Sequence, residues 1–316
     1  MNTDDRGIAR ARQILGGLGL PGLAEARDVT VTRLGGTTNL VFRVDHGLEH
    51  YVLRIPGQGT EEYIHRGHEA QAARETARVQ VSPEVLHFDA ASGVMVTRYV
   101  DGAVTMTPAA FRTRGGAPAR AGAVLRKLHT SGAVFHFRFE LFAMIDEYLK
   151  VLAGKQTPLP RGYHDVVAEA GAVRAALGAN ALSVAACHCD PLCENFLDTG
   201  ERMWLVDWEY SGMNDPLWDL GDLSVEGGFN AAQDEEMMRA YFGGESRPAE
   251  RGRIVAYKAM CDLLWTLWGL IQHASGNPAE DFWAYSINRF ERCKALMAAP
   301  DFTRHVENVR RREQPP

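Results

Sequence analysis

The pattern of apolar and polar residues predicts strands early in the chain and helices later. Residues 4–18 predict a helix, which Pro21 and Gly22 end. Three short runs rich in β-branched and aromatic residues follow, separated by glycine-rich or charged turns: residues 29–32, 40–44 and 51–55. Runs of this composition between turn residues are typical of strands, so the segment predicts an antiparallel meander.

A helix and two further strands complete the first hundred residues. Residues 61–79 are rich in alanine and glutamate and predict a helix. The helix is expected to stop near Pro83, because the residue before a proline disfavours helical backbone. Residues 84–88 and 94–99 predict two strands joined by a turn at residues 91–93.

The composition then shifts to helix. Apolar residues recur at helical spacing in four segments: residues 118–130, 139–152, 164–177 and 234–242. The shift predicts two lobes, an N-terminal lobe of residues 1–100 and a C-terminal lobe of residues 101–316. The expected fold class is α+β, with a small antiparallel sheet and one helix in the first lobe and mostly helices in the second.

Composition and charge narrow the class of partner. The chain has 316 residues, 46% of them apolar and 23% charged, with a formal net charge of −6. These values exclude disordered, collagen-like and disulfide-scaffold proteins. A mildly acidic chain without a long basic run also argues against nucleic acid as the main partner, because phosphate backbones are bound mostly by clustered positive charge. We therefore expect small-molecule ligands.

The cysteines and the apolar runs predict a cytoplasmic protein without membrane insertion. Five cysteines are an odd set and predict free thiols in a reducing compartment. Residues 1–12 alternate in charge and lack the apolar stretch of a secretory signal. The most apolar run, residues 263–271, has about half the length that a bilayer span needs.

One motif carries the residues that phosphoryl transfer needs. His188, Asp190 and Asn195 have the spacing H-x-D-x-x-x-x-N, and Asp207 follows twelve residues later at the end of an apolar run. Phosphoryl transfer needs a carboxylate near the attacking hydroxyl, and an amide and a second carboxylate to hold Mg²⁺. Protein kinases place these groups with the same spacing. We therefore predict Asp190 as the base, and Asn195 and Asp207 as magnesium ligands.

Each residue of this motif also has a simpler interpretation. Asp190 and Asn195 are common turn residues, and Asp207 fits a strand end. Their joint spacing favours the kinase-type interpretation, because apolar residues on both sides of a turn at residues 198–200 predict a strand pair. A zinc site built on Cys187, His188, Cys189 and Cys193 is disfavoured by its spacing, and these thiols are predicted to be core residues.

A glycine-rich loop in the N-terminal lobe is a candidate phosphate site. The loop lies between the first two predicted strands and has backbone and side-chain donors for a nucleotide: Gly35, Gly36, Thr37, Thr38 and Asn39. Two adjacent glycines are also a common hairpin turn. The loop matches neither the P-loop pattern nor a strict G-x-G-x-x-G, so it is a weak signal by itself.

A cation and an acid could complete the nucleotide site. Arg54 lies on the third predicted strand, where protein kinases have lysine, and Glu69 lies on the following helix. A guanidinium can bind phosphate oxygens and a carboxylate together. Without the downstream motif, a surface arginine and a solvated glutamate fit the same residues equally well.

Together these motifs resemble the choline/ethanolamine kinases, a group of the aminoglycoside phosphotransferase-like kinases. The resemblance runs from Gly35 to Phe290 and includes Val-Asp-Trp-Glu-Tyr and Leu-Trp-Thr-Leu-Trp-Gly-Leu-Ile-Gln, which are specific to the choline kinase branch. It implies a two-lobed protein-kinase-like fold, ATP and Mg²⁺ as cosubstrate and cofactor, and phosphorylation of a small amino alcohol, choline first and ethanolamine second. Arginine at the position of Arg54 is also a feature of this family.

The resemblance also implies further site residues. Five would line the choline pocket: Tyr210, Glu226, Trp265, Trp268 and Tyr285. Aromatic faces and a carboxylate suit a quaternary ammonium, which has no N–H to donate. A helix that is apolar on all sides is usually core, which is the alternative for the two tryptophans. The adenine would bind backbone groups of a hinge formed by Arg98, Tyr99 and Val100, and Asp219 would support the catalytic loop.

One departure and several alternatives stay open. Ala231, with Phe229 nearby, replaces a tyrosine of the eukaryotic pocket, which leaves the identity of the amine open. The acceptor could instead be an aminoglycoside or a thiamine-like cation, or the chain could be a catalytically silent protein that binds an amine or nucleotide. The apolar C-terminal helix fits burial against the tryptophan helix or a homodimer contact equally well.

Overall fold

The computed structural model describes residues 3–20, 29–35, 39–57 and 64–311. Gly36, Thr37 and Thr38 of the candidate phosphate loop lie outside the described residues, as does the start of the helix predicted at residues 61–79. The described residues form an α+β fold with an antiparallel sheet in the N-terminal lobe and helices in the C-terminal lobe, as predicted.

The N-terminal lobe is a five-stranded antiparallel sheet with two helices. Its elements are α1 (Thr3–Gly17), β1 (Thr30–Gly35), β2 (Leu40–His46), β3 (Glu49–Ile55), α2 (Arg66–Arg78), β4 (Val85–Phe88) and β5 (Met95–Arg98). The strand order is β1-β2-β3-β5-β4. The predicted meander and the predicted order of three strands, one helix and two strands are therefore confirmed.

Alternation along the strands explains where the two helices of this lobe pack. Val96 of β5 is buried with Phe42 and with Ala11 and Leu15 of α1, in a core of the N-terminal lobe. The neighbouring Met95 is buried in the larger core that continues into the C-terminal lobe. Since successive side chains of a strand point to opposite faces, α1 covers one face of the sheet and leaves the other face to α2 and the C-terminal lobe.

The C-terminal lobe contains nine helices and five short strands in the described part of the chain. They are β6 (Val104–Thr105), α3 (Pro108–Thr113), α4 (Ala117–His129), α5 (Leu141–Ala153), α6 (Tyr163–Ala179), β7 (Ala185–Cys187), β8 (Phe196–Asp198), β9 (Met203–Leu205), β10 (Gly212–Asn214), α7 (Leu217–Glu226), α8 (Ala231–Phe242), α9 (Pro248–Ala274), α10 (Phe282–Met297) and α11 (Phe302–Arg310). The strand pair β8 and β9 is the one predicted around residues 198–200. Neither β6 nor α3 is predicted from the sequence, because elements of two and six residues carry too little periodicity.

Helix α9 is the centre of this lobe. It packs against α7, α10 and α11. Its length and composition are those of a membrane-spanning helix, but 72% of its most apolar window is buried inside the protein. Val306 and Val309 of α11 are buried in the same core. Of the two alternatives for the C-terminal helix, the structure therefore shows burial against the tryptophan helix.

All five cysteines are buried and unbridged. Burial raises the pKa of each thiol, and that of Cys193 rises to about 12. A thiol with a raised pKa is a poor nucleophile and a poor metal ligand. The prediction that Cys187, Cys189 and Cys193 are core residues is confirmed by their burial.

Helices α4 and α8 approach so closely that one glycine is required between them. A Cβ at Gly122 would overlap the carbonyl oxygen of Met237. The position of the added Cβ is fixed by the backbone of α4, and the oxygen belongs to the backbone of α8. The overlap can therefore be relieved only by moving one of the two helices. We expect Gly122→Ala to lower the free energy of unfolding by about 1–3 kcal/mol, measured by urea denaturation.

A matched control for this substitution is Gly171→Ala. Gly171 lies on α6 with nothing near an added Cβ. Alanine is favoured over glycine by about 0.5–1 kcal/mol in a helix interior, so this variant should be slightly more stable than the original chain. Equal stability of the two variants would contradict the close approach of α4 and α8.

Candidate active site

The loop between β7 and β8 carries the candidate catalytic residues and is anchored by Asp219. The carboxylate of Asp219 accepts the backbone N–H of His188 at 2.7 Å and that of Cys189 at 2.9 Å. It also contacts His129 Nε2 at 2.9 Å. Cys189 has a left-handed φ of 68°, a conformation that persists where the surrounding contacts hold it. These contacts fix the backbone immediately before Asp190.

Asn195 and Asp207 are brought together by the pairing of β8 with β9. The backbone N–H of Val206 donates to the carbonyl oxygen of Asn195 at 3.0 Å. Asp207 is the next residue after Val206, so this bond holds Asp207 close to Asn195. The amide nitrogen of Asn195 donates to the backbone carbonyl of Asp190 at 3.1 Å. The amide oxygen of Asn195 takes no part in this bond and can act as a ligand. Amide and carboxylate oxygens are ligands that Mg²⁺ prefers, so the donor set fits this ion.

The environment of Asp190 favours its neutral form. Burial is the largest cause and, with the negative charges of Glu226 and Asp207, raises the pKa of Asp190 to about 8. The charge of Glu209 adds to this shift, and Arg289 opposes it. A carboxyl whose pKa lies near the working pH is suited to proton transfer, because both of its forms are accessible.

Arg54 connects the two lobes at the candidate nucleotide site. Its guanidinium forms an ion pair with Glu69 of α2, as the sequence predicts. It also donates to Asp207 Oδ1 at 2.8 Å, across the boundary between the lobes. Arg54 is only 4% exposed, and Asp207 follows β9 with a left-handed φ of 68°. One buried cation therefore fixes the position of the second candidate magnesium ligand.

Two charged residues of this cluster, Arg66 and Glu209, are not predicted from the sequence. Arg66 donates to Glu69 Oε2 at 2.8 Å and lies 3.6 Å from Glu209. Carboxylate oxygens of Glu69, Asp207 and Glu209 lie within 4.8 Å of one another. Burial and the charge of Asp207 raise the pKa of Glu209. The three-residue spacing of Arg66 and Glu69 could have indicated their pairing, and Glu209 stands two residues after Asp207.

Of the candidate phosphate loop, the structure describes Gly35 and Asn39. Gly35 has a φ of 144°, a backbone conformation that residues other than glycine rarely adopt. The register of β1 against β2 shifts at the same point. Asn39 is buried, and its amide nitrogen lies 3.5 Å from Glu209 Oε2. Asn39 therefore links the loop to the charged cluster.

Hydrogen bonds of the N-terminal sheet reduce the number of hinge N–H groups that could bind adenine. The N–H of Arg98 donates to the carbonyl of Glu84 at 2.9 Å, and the N–H of Tyr99 donates to that of His50 at 3.0 Å. Neither N–H is free for adenine. Within the described residues, the N–H of Val100 has no such partner. The Arg98 side chain forms an ion pair with Glu49 on the sheet and does not reach the cluster around Arg54.

Four aromatic residues of the implied choline pocket form one connected group. Trp265 and Trp268 of α9 have ring centroids 5.9 Å apart. Tyr210 lies 6.5 Å from Trp265, and Tyr285 of α10 lies 5.8 Å from Trp268. All four side chains are partly exposed, unlike the fully buried leucines of α9. Partly exposed rings in one group are what an aromatic cation site requires.

Glu226, the fifth implied pocket residue, is already paired. Both of its oxygens accept hydrogen bonds from Arg289, at 2.7 and 3.0 Å. The same guanidinium lies 4.7 Å from the ring centroid of Tyr285. The prediction of Glu226 as the carboxylate of the cation site did not include this partner on α10. The carboxylate of Glu226 is therefore already paired with a cation of the protein itself.

Phe229 does not replace the tyrosine that the eukaryotic pocket has near this position. Its ring is buried against Phe111 at 5.1 Å. Ala231 begins α8 and is exposed. The implied pocket therefore has no aromatic side chain from Ala231 or Phe229 on this side, which agrees with the departure noted in the sequence.

The raised pKa of Asp190 has a consequence for stability. Its unfolded pKa is about 3.9 and its folded pKa about 8, so between these values the folded protein binds the additional proton. Stability from this group is therefore lost as the pH rises from about 4 to 8. We expect Asp190→Asn, compared with the original chain without nucleotide, to be more stable by about 2 kcal/mol or more at pH 9, and equally stable at pH 4.

Asp198→Asn is the control with the opposite sign. Burial opposes the charge of Asp198, but hydrogen bonds from Arg120 and Arg114 outweigh it and lower the pKa to about 2. Stability from this group is present above about pH 4 and is lost as the pH falls toward 2. Thermal unfolding from pH 4 to 9 should show Asp198→Asn destabilised at neutral pH. A stabilising effect of Asp190→Asn at pH 4 would contradict the raised pKa.

Comparison with known proteins agrees with this geometry. Residues 30–255 match the phosphotransferase enzyme family, APH. The chain is 67% identical to a choline/ethanolamine kinase family protein from Mesorhizobium loti, with a TM-score of 0.90 over 96% of this chain and 99% of that one. It is 26% identical to choline kinase LicA from Streptococcus pneumoniae, with a TM-score of 0.72 over 92% and 99% of the two chains.

A structure of LicA in complex with AMP is 25% identical, with a TM-score of 0.70 over 92% of this chain and 97% of that one. The matches cover both lobes, and they confirm the resemblance and the kinase-like fold that the sequence motifs imply. The chain belongs to the APH phosphotransferase family, among its choline and ethanolamine kinases, and is a kinase-type phosphotransferase.

Proposed function

We propose that this protein transfers the γ-phosphate of ATP to the hydroxyl of a small amino alcohol, with choline and ethanolamine as the acceptors. The observation that carries the proposal is the position of the aromatic group beside the candidate catalytic motif. Tyr210 follows Asp207 by three residues, and its ring centroid lies 6.5 Å from that of Trp265, so the group adjoins the loop that carries the second candidate magnesium ligand. An acceptor held by the rings would have its hydroxyl near a carboxylate.

In the proposed mechanism Asp190 orients the acceptor hydroxyl and takes its proton as the oxygen attacks the γ-phosphorus. The bond from the γ-phosphorus to the bridging oxygen breaks, and ADP leaves. Arg54, held by Glu69, contributes positive charge to the phosphates. Mg²⁺, for which Asn195 and Asp207 are suitable ligands, supplies charge neutralisation when bound. The fixed backbone at Cys189 keeps Asp190 in position.

The aromatic group favours an acceptor with a compact cation. Each good contact between a cation and a ring face contributes about 0.5–2 kcal/mol, and the rings of Tyr210, Trp265, Trp268 and Tyr285 form one group. An aminoglycoside carries several amines and would need a broad acidic surface. A catalytically silent protein would not need the complete set of Asp190, Asn195 and Asp207. Both alternatives are therefore less well supported.

The test is ADP formation with Mg·ATP and a panel of choline, ethanolamine, thiamine and an aminoglycoside. We expect choline or ethanolamine to stimulate ADP formation, and Asp190→Ala to lower kcat by about 10²- to 10⁴-fold. Trp265→Ala should raise the KM of the acceptor by about 2- to 30-fold, which corresponds to one lost cation–ring contact, with little change in the KM for ATP.

Trp283→Ala is the matched control. Trp283 lies on α10, is partly buried and packs against His273, and among the described residues it has no ring contact with the four aromatic residues. This variant should keep the acceptor KM within about twofold, because it removes a tryptophan of similar burial that is outside the aromatic group. Nucleotide binding without ADP formation on any acceptor would favour the silent binding protein, and the highest rate on the aminoglycoside would change the substrate class.

A further inference from the structure

Asp222 is a buried carboxyl that the proposed mechanism does not use. It lies on α7, one turn before Glu226, and is fully buried. Its Oδ1 accepts a hydrogen bond from Cys261 Sγ at 3.2 Å. Its Oδ2 has no hydrogen-bond partner among the described residues. Because nearly all buried polar atoms in native proteins have a partner, an unpaired carboxyl oxygen requires an explanation.

The position of Asp222 relates it to the acceptor site. Residues four apart on a helix lie on the same face, so Asp222 faces the same side as Glu226. Cys261, which contacts Asp222, lies one turn before Trp265 on α9. Burial, and then the charges of Glu226 and Asp190, raise the pKa of Asp222 well above its ordinary value. Ligand atoms of Asp222, Glu226 and Cys261 lie within 4.8 Å of one another, so Asp222 adjoins the end of the acceptor site that Glu226 forms.

The neighbouring charges are already paired. Both oxygens of Glu226 bind Arg289, and Asp262 of α9 binds Arg292 at 2.5 and 3.1 Å. Of these three carboxyls, Asp222 is the one with an oxygen that has no partner among the described residues. A cationic ligand would also restore the charge of this carboxyl, because a nearby positive charge favours its ionised form.

We propose that Asp222 is a specificity-determining residue whose Oδ2 accepts an N–H from the ammonium group of the acceptor. The site then selects amino alcohols whose nitrogen carries at least one hydrogen over quaternary ones. This inference rests on the proposed function, and it reverses the order of acceptors that the aromatic residues alone suggest. A quaternary ammonium can contact the rings but leaves Oδ2 unpaired, which is the costly arrangement for a buried acceptor.

The experiment is a methylation series with constant chain length. Ethanolamine, its N-methyl and N,N-dimethyl derivatives, and choline present three, two, one and no N–H groups. In the original chain kcat/KM should be at least about tenfold higher for the three amines with an N–H than for choline. Hydrogen bonds to charged groups are typically strong enough for a discrimination of about 10- to 100-fold.

Asp222→Asn and Asp222→Ala test the residue itself. Asparagine keeps the shape but removes the charge, and alanine removes the acceptor. Both should reduce the ratio of kcat/KM for ethanolamine to that for choline by about tenfold or more, with the KM for ATP unchanged. The ratio is measured within one preparation, so partial unfolding of a variant cancels.

Asp234→Asn is the matched control. Asp234 contacts the same two helices, α7 through Ser224 at 2.5 Å and α9 through Lys258 at 2.7 Å, but both of its oxygens are paired. Its ratio should stay within twofold of the original. A preference of the original chain for choline, or an unchanged ratio in both Asp222 variants, would overturn the inference and leave the proposed function intact. ADP formation with no member of the series would instead overturn the proposed function.

Discussion

The buried guanidinium of Arg54 is the interaction on which the rest of the site depends. It pairs with Glu69 in the N-terminal lobe and with Asp207 in the C-terminal lobe. Removing one partner of a buried ion pair commonly costs about 3–5 kcal/mol, because the other charge stays buried. The pair therefore fixes the relation of the nucleotide side to the catalytic loop. The lobes also share an apolar core that includes Met95, and Arg54 adds to it a positive charge at the side where phosphates would bind.

The carboxylates gathered at the site are suited to catalysis but lower the stability of the folded protein. Asp190, Asp207, Glu209 and Glu226 act on one another, and the cations nearest to them are committed to specific partners. A carboxyl with a raised pKa costs stability in its ionised form, which is the form that accepts a proton. The anchoring of the loop by Asp219 compensates through hydrogen bonds made by the backbone, so the loop does not depend on the ionisation state of Asp190.

Features that depend on residues close together in the chain, or on a known motif, could be predicted from the sequence. The meander, the order of the N-terminal elements, the strand pair after Asn195 and the pairing of Arg54 with Glu69 all follow from short patterns or a motif. The commitment of Glu226 to Arg289 could not be predicted, because the partners are 63 residues apart and meet only when α10 packs on α9. The hinge N–H groups likewise depend on which strand lies beside β5.

Aromatic faces and an unpaired carboxyl oxygen perform different parts of recognition. A ring attracts any cation through its quadrupole and depends little on the orientation of the cation. A hydrogen bond is directional and requires a donor on the ligand. In the proposed site the rings of Trp265 and Trp268 would supply affinity for small ammonium groups in general, whereas Asp222 would distinguish among them only by their hydrogens. Because Arg289 neutralises Glu226, this discrimination does not compete with a second free carboxylate, and one residue is sufficient to set it.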